Sequence, residues 1–339
     1  MAKTILGIDV GYDQLKLALV SGGEVLKTAS APMPSKLVRE GRVVSAETMA
    51  ELIRDAMKKN NIRCARAALA LPNEAVFVRN VTVPRMTADQ LMYNLPYEFR
   101  DYITDELKNY VFDYAMISTP EELAAPAPKD EDEDEVTGGM ELMAVAAPVS
   151  LMEESRDWLR KAGLKLVKAA PVVSSYISLI RRLDEHKRCP EYCVLDLGYN
   201  AIRMYMFVGD RHAATRVLEM GMSGVDDVIA EAWNVDVHLA HTYLLTNYEN
   251  CQQSEACRGA FNNIAVELMR ALNFYRFSNP DSRLSDVFLC GGGVFIPALG
   301  EAIAENLDMT VHAADELTPA GVGLHESILM LQAIGAALE

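Results

Sequence analysis

The sequence predicts a mixed α/β protein with two homologous lobes and a smaller α/β module inserted into the first. Three observations carry this. "GIDVGYDQLKLALV" at residues 7–20 recurs as "VLDLGYNAIRMYMF" from residue 194, so that Asp9, Gly11, Tyr12, Asp13 and Lys16 fall on Asp196, Gly198, Tyr199, Asn200 and Arg203 at a constant offset of 187. A repeat that long is far outside solenoid periods and implies two homologous domains facing each other. Strand patterns alternate with helical ones along each half, the order of an α/β chain. Finally, 50% of the 339 residues are hydrophobic, enough to fill two cores of ordinary domain size.

In the first half, alternating segments at 4–10, 15–20 and 24–30 read as a meander of strands, with "SGGE" at 21–24 as a turn. Met49, Leu52, Ile53, Ala56 and Met57 form one apolar stripe on a helical period, which predicts a helix over 46–59. The strand "ARAALALP" follows. Residues 75–168 then read as "AVFVRNVTVP", a helix over 87–103, "YVFDYAMI", an acidic stretch, "ELMAVAAP", a helix over 150–162 and "LKLVKAA". That β-α-β-β-α-β order is the order of a ferredoxin-like module. A helix at 171–183 precedes the second meander at 191–221. Helices at 223–233, 235–247 and 258–278, the strand "DVFLCGG" and a helix from near Pro297 complete the chain. The expected division is 1–74 with 169–188 and 328–339 as the first lobe, 75–168 as the inserted module, and 189–327 as the second lobe.

A formal net charge of −16 excludes a nucleic-acid binder, which needs surplus Lys and Arg on one face. Nothing is basic enough for an anionic membrane surface. "DEDEDE" at 130–135, with its flanks over 121–137, reads as a solvated loop because like charges repel; docking to a basic partner is the alternative. "MAKTILGIDVG" enters a strand without the apolar core of a secretory signal. The longest apolar run, "LMAVAAPVSLM", is about half of the ~20 residues that a spanning helix needs. The expectation is a soluble, cytoplasmic chain with no direct membrane anchor. Cysteines without regular spacing fit a reducing compartment, and Cys189, Cys193, Cys251 and Cys257 suit zinc poorly. His238 and His241 have no third ligand nearby and read as helix histidines with satisfied hydrogen bonds.

Chemistry is expected at the repeated turn. Gly11 and Gly198 permit a positive φ, which would turn the following N–H groups into an anion-binding nest. Asp9 and Asp196 are placed to hold Mg²⁺ through its waters, since that ion keeps most of its hydration shell and takes only one or two carboxylates. Lys16 can reach a phosphate oxygen as a point charge. Two such turns on opposed lobes would clamp the β- and γ-phosphates of one nucleotide between Gly11, Tyr12, Asp13 and Lys16 on one side and Gly198, Tyr199 and Asn200 on the other. In "FLCGGGVFIPALGEAI", Gly291, Gly292 and Gly293 lie between a strand and a helix and would let the backbone approach an adenine ring. Glu267, Arg270 and Phe274 share a helix face, where the carboxylate could bind ribose and the guanidinium stack on the base. A plain surface salt bridge is the alternative for Glu267 and Arg270.

This constellation resembles the superfamily of actin, the sugar kinases and the large heat-shock chaperone ATPases, over nearly the whole chain. Asp9 through Lys16 correspond to its phosphate 1 loop, Asp196 through Ile202 to its phosphate 2 loop and Gly291 through Leu299 to its adenosine motif. "PVVSSYISLI" and "LMLQAIGAAL" look like its connecting helices. The resemblance implies an actin-like, ribonuclease H-like duplicated two-lobed fold. Within the superfamily, the insertion, the "ELMRALNFY" segment and the end after "AIGAAL" are most similar to the type IV pilus assembly protein PilM family, whose relative FtsA carries its insertion in a similar place. That implies a cytoplasmic adaptor, held at the inner face of the cytoplasmic membrane by its partners. It would bind ATP with Mg²⁺ and, in a groove beside the inserted module, the N-terminal cytoplasmic tail of a PilN-like membrane protein. The pilus assembly ATPase would be an indirect partner, and a homo-oligomer stays open.

Departures from the family pattern limit the chemistry. Its phosphate loops place Ser or Thr hydroxyls after the glycine, whereas Tyr12 and Asp13, and Tyr199, Asn200, Ala201 and Ile202, stand here. Asp13 would repel a phosphate unless it helps hold the metal. Weak or absent hydrolysis is expected, with no residue assigned as catalytic base. A small-molecule kinase of this fold would need a catalytic Asp in the cleft and substrate-binding insertions. An FtsA-like tether would end in a basic amphipathic helix, but "ESILMLQAIGAALE" lacks any Lys or Arg and reads as a closing core helix. The 17 methionines read as core filling.

Overall fold

Each copy of the repeat builds the same five-stranded sheet in the computed structural model, which describes residues 4–118, 139–183, 190–319 and 322–338. In the first lobe β1 (Ile5–Val10), β2 (Gln14–Ser21) and β3 (Glu24–Pro32) form an antiparallel meander. Parallel to β1 runs β6 (Arg66–Leu71), and parallel to β6 runs β10 (Lys165–Pro171). The second lobe repeats this with the meander β11 (Glu191–Leu197), β12 (Ile202–Val208) and β13 (Arg211–Leu218), then β14 (Asp286–Cys290) and β15 (Thr310–Ala313) in parallel. Register is duplicated too: Asp9 pairs with Lys16, and Asp196 with Arg203. Every residue of β11 is buried, Glu191 and Asp196 included, as befits a strand covered on both faces.

The helix expected over 46–59 is α1 (Ala46–Lys59), capped by Ser45, whose hydroxyl accepts from Thr48 N–H at 3.3 Å. Just before it, β4 (Val38–Arg39) and β5 (Arg42–Val43) form a short hairpin. The inserted module holds β7 (Phe77–Val83), β8 (Tyr110–Met116) and β9 (Met140–Pro148), in the order β7-β9-β8. Its first helix is shorter than the 87–103 expected. After α2 (Ala88–Asn94) the chain tightens into a 3-10 turn at Leu95–Phe99, because Pro96 has no N–H to continue the α-helical ladder.

The last helix and strand of the β-α-β-β-α-β run leave the module. Helix α3 (Val149–Lys161) buries Leu151, Trp158 and Leu159 in the first-lobe core beside Met49 and Ile53 of α1, and β10 pairs with β6 of that lobe. Among the described residues the module's own sheet therefore has three strands. Alternation marked β10 as a strand but carried no information about which sheet edge it would join. The acidic stretch at 121–137 and Cys189 lie outside the described residues.

Two helices join the lobes. One core cluster holds Tyr176 of α4 (Val172–Ile180) and Leu331, Ala333 and Ile334 of α9 (Leu324–Ala337) together with Ile5, Ala18 and Ala68 of the first sheet and Val194, Tyr205 and Phe288 of the second. Close approach sets two positions here. A Cβ at Gly7 would stand 1.8 Å from the Ala333 carbonyl oxygen, and one at Gly335 would stand 2.2 Å from that of Ser175. From Ser327 to Ala337 only Gln332 is not fully buried, so "ESILMLQAIGAA" is part of a core helix, as its lack of basic residues suggested. No helix among the described residues is long and apolar enough to cross a membrane. The far face of the second sheet is covered by α5 (Met222–Trp233), α6 (Val237–Thr246), α7 (Glu255–Ser278) and α8 (Pro297–Asn306).

Candidate functional site

Equal register in the two meanders puts their turns at the same end of both sheets, and both turns open on one crevice. It is a cavity of about 420 Å³, within the ~300–1,000 Å³ usual for small-molecule sites. Asp9, Gly11, Tyr12, Asp13 and Lys16 line it from the first lobe; Asp196, Gly198, Tyr199 and Asn200 line it from the second.

The turn glycines are needed for a different reason than expected. Neither Gly11 nor Gly198 is among the glycines with positive φ. Instead a Cβ at Gly11 would lie 2.9 Å from the Gln14 carbonyl oxygen, and one at Gly198 would lie 2.5 Å from that of Ala201. The hairpin is too tight for a side chain. Positive φ falls on Gly291, at +88°, where a Cβ would come within 2.4 Å of Asp196 Oδ1. Gly291 thus lets β14 end against the second turn.

Charge in the crevice is balanced internally. Lys16 Nζ donates to Asp9 Oδ2 at 3.0 Å, and both side chains are nearly buried. Burial pushes the Lys16 ammonium down, yet the Asp9 and Asp196 carboxylates and the Asp9 hydrogen bond together hold it above its ordinary value. Asp196 is raised chiefly by burial, against the pull of Lys16 and Arg203. Gln332 Nε2 donates to Asp196 Oδ2 at 2.9 Å. Arg203 is ion-paired with Glu74, which reaches across from the first lobe, and Asn73 Nδ2 donates to Tyr205 Oη at 2.6 Å across the same gap.

Asp9 and Asp196 are 5% and 7% exposed and face one cavity. No group of three or more His, Cys, Asp or Glu side chains among the described residues could hold a metal ion alone. Two carboxylates without a third ligand suit Mg²⁺ that arrives with most of its coordination supplied by water and phosphate. The donor set fits that ion, and Asp9 and Asp196 are the residues that would hold it.

Other expected residues are placed as follows. Gly291 and Gly292 line the cavity, while Gly293 packs behind it on Leu197 and Met222. Glu267 and Arg270 pair with each other on the exposed face of α7 and are not among the lining residues; Phe274 lies 5.0 Å from the Arg216 guanidinium. Of the zinc candidates, Cys251 and Cys257 have their sulfurs 3.9 Å apart inside the second-lobe core. Tyr12 is anchored by its hydroxyl, which accepts from Gly41 N–H at 2.9 Å. Sequence reasoning missed Glu74, Gln332 and Asp226. Gln332 carried a signal, being the one polar side chain within "ILMLQAIGAA". His241 is satisfied, as expected of a helix histidine, by Asp226, but it also faces the crevice.

A family profile described as type IV pilus assembly protein PilM matches residues 7–327. The chain belongs to the PilM family. Among solved structures, this PilM-family chain is similar to one named as a PilM-PilN type IV pilus biogenesis complex, with 24% identity, 98% of this chain and 97% of that chain covered, and a TM-score of 0.78. It is also similar to the ethanolamine utilization protein EutJ from Carboxydothermus hydrogenoformans, at 15% identity over 100% and 90% of the two chains with a TM-score of 0.59. For MreB 5 of Spiroplasma citri bound to AMPPNP the figures are 11% identity, 94% and 93% coverage and a TM-score of 0.50. No curated protein matches the chain significantly. The fold of this PilM-family member is the two-lobed actin-like one, with its two repeated turns facing one cleft.

Proposed function

We propose that this chain is a cytoplasmic adaptor of the type IV pilus assembly platform, with ATP and Mg²⁺ in the cleft and the N-terminal cytoplasmic tail of a PilN-like membrane protein on its surface. The likeness over 98% of the chain to a PilM-PilN complex carries the choice of partner. A groove on the first lobe, where α3 follows on from the inserted module, supports the docking site. It has a volume of about 600 Å³ and runs between the β4–β5 hairpin, with Arg39, Arg42 and Val44, and helix α3, with Glu154, Asp157 and Trp158. Apolar patches flanked by charges of both signs suit a short extended segment, with pockets for side chains and polar groups to fix its direction.

In the cleft, Gly11, Tyr12, Asp13, Lys16, Gly198, Tyr199 and Asn200 would surround the phosphates, and Gly291 and Gly292 the adenosine end. The nucleotide acts here as a structural ligand that sets the angle between the lobes. No Ser or Thr hydroxyl follows either turn glycine, and both cations already have carboxylate partners, which favours binding with little turnover. Localisation at the inner face of the cytoplasmic membrane follows from the tail. The pilus assembly ATPase, and a second copy of the chain, are further partners this reading allows.

The test is a titration of the purified chain with a synthetic peptide of a PilN-like N-terminal tail. Binding at about micromolar strength or tighter, near −8 kcal/mol, is expected. Indifference to all such peptides would overturn the adaptor reading.

A further inference from the structure

His241 lies where the crowns of the two turns meet. Its ring edge packs on Tyr199 of the second turn, with ring centroids 5.5 Å apart, and its Nε2 stands 4.0 Å from Asp13 Oδ1 of the first. Its other nitrogen, Nδ1, is 2.9 Å from Oδ2 of Asp226, a carboxylate with no solvent exposure. A buried carboxylate on one ring nitrogen fixes the ring plane and aims the other nitrogen, here into the cavity. The residues around it leave a chemical gap. Neither turn carries a Ser or Thr hydroxyl; the Tyr12 hydroxyl is held by Gly41 N–H and the Tyr199 hydroxyl by Asp226, and the cavity-lining cations Lys16 and Arg203 are engaged by Asp9 and Glu74.

We propose that His241 is a phosphate ligand of the cleft, exchanging its contact with Asp13 for the terminal phosphate of a bound nucleoside triphosphate while Asp226 holds its ring in place. The inference rests on the nucleotide reading of the site. A donor at Nε2 requires the imidazolium. Groups facing the ring are Asp226 from α5, Asp13 from the first turn and the Tyr199 phenol from the second, with the Cys251 thiol behind Asp226. The hydrogen bond to Asp226 raises His241 most; burial opposes this, and the Asp226 and Asp13 charges add to it, so the ring stays protonated above its ordinary range. Tyr199 is held neutral by burial and by the Asp226 carboxylate, and so adds no competing charge. Asp13, which looks hostile to phosphate, serves as the placeholder for it.

The contact separates ATP from ADP, because only ATP carries the terminal phosphate. The experiment measures Mg-ATP and Mg-ADP affinity by calorimetry on the intact chain, for the parent, His241→Gln and Asp226→Asn, from about pH 6 to about pH 9, where a raised imidazole titrates. Expected for the parent is a preference for ATP that fades as pH rises. His241→Gln weakens ATP by about tenfold or more at the acid end, as loss of a charged hydrogen bond does, leaves ADP little changed and removes the pH dependence. Asp226→Asn moves the midpoint of the ATP profile to lower pH, an effect that a purely structural role would not produce. Ligand-free melting curves report whether each variant is folded. If the parent binds ATP and His241→Gln binds it equally well at every pH, the inference is overturned and the nucleotide site stands. If the parent binds no nucleotide, the site reading falls and takes this inference with it.

Discussion

Gln332 of the closing helix donates to Asp196 Oδ2 at 2.9 Å and to Tyr176 Oη at 3.1 Å. One amide thus ties the second turn to both helices that join the lobes. Tyr176 Oη continues the chain to Cys290 Sγ at 3.6 Å, at the end of β14. The polar network crosses the apolar core at the point where a metal-bound nucleotide would change the charge on Asp196. A low-dielectric setting makes such a change costly unless the hydrogen bonds follow it.

Asp9→Asn and Asp196→Asn each keep the shape of the side chain but remove a charge that would hold Mg²⁺. At a Mg-ATP concentration about 100 times Kd the parent gains about 2.7 kcal/mol of stability. Both variants lose that gain in a thermal-shift assay, and equal shifts in variant and parent would count against the assigned metal site.

Val44→Asp tests the groove beside α3. Val44 is 61% exposed, so its replacement leaves the unfolding free energy within about 0.5 kcal/mol of the parent. Tail-peptide affinity falls by about tenfold or more, equal to ~1.4 kcal/mol, if Val44 is part of the docking wall. Unchanged peptide binding would move the docking site elsewhere.

Glycine substitutions separate helix propensity from packing. Gly335→Ala gains up to ~1 kcal/mol of propensity but forces a Cβ to 2.2 Å from the Ser175 carbonyl oxygen, backbone that cannot step aside. Net destabilisation of about 1–3 kcal/mol is expected in urea denaturation. Gly259→Ala, in helix α7 with no atom within 4 Å of the added carbon, stabilises by about 0.5–1 kcal/mol. Equal signs for the two would show that α9 is less tightly held than described.

His212 on β13 supplies a pH signature. Burial lowers its pKa from 6.5 to about 4, and its ring hydrogen-bonds Thr215 Oγ1 at 2.8 Å. Between these two values the unfolded chain binds the proton and the folded one does not. The contribution of His212 is therefore complete above the unfolded pKa and is lost as pH falls toward the folded one. His212→Gln flattens the stability profile between about pH 6.5 and about pH 4, read by urea denaturation at several pH values. An unchanged profile would assign the acid sensitivity to carboxylates instead.

Much of the site could be read in advance because it is local. The duplicated turn places Asp9 beside Lys16 and Asp196 beside Arg203 through hairpin register alone. Helix α1 was legible for the same reason, its apolar stripe lying within one segment. Glu74 gave no such sign. It follows β6 in an ordinary loop, and its role appears only when Arg203 arrives from the other lobe. Glu267 and Arg270 show the limit of local spacing: an i,i+3 pair on α7 suits a ligand and a surface ion pair equally, and the two side chains are ion-paired with each other.

From the amino acids in order came the duplication, the strands and helices, the crevice-facing aspartates and the core character of the last helix, since each is written in periods and turns shorter than one element. Which edge β10 joins, and what meets Asp13 and Asp196 across the gap, depended on how distant segments pack. Gln332, His241 and Glu74 acquire their roles from partners 136, 15 and 129 residues away, through contacts that no local pattern encodes.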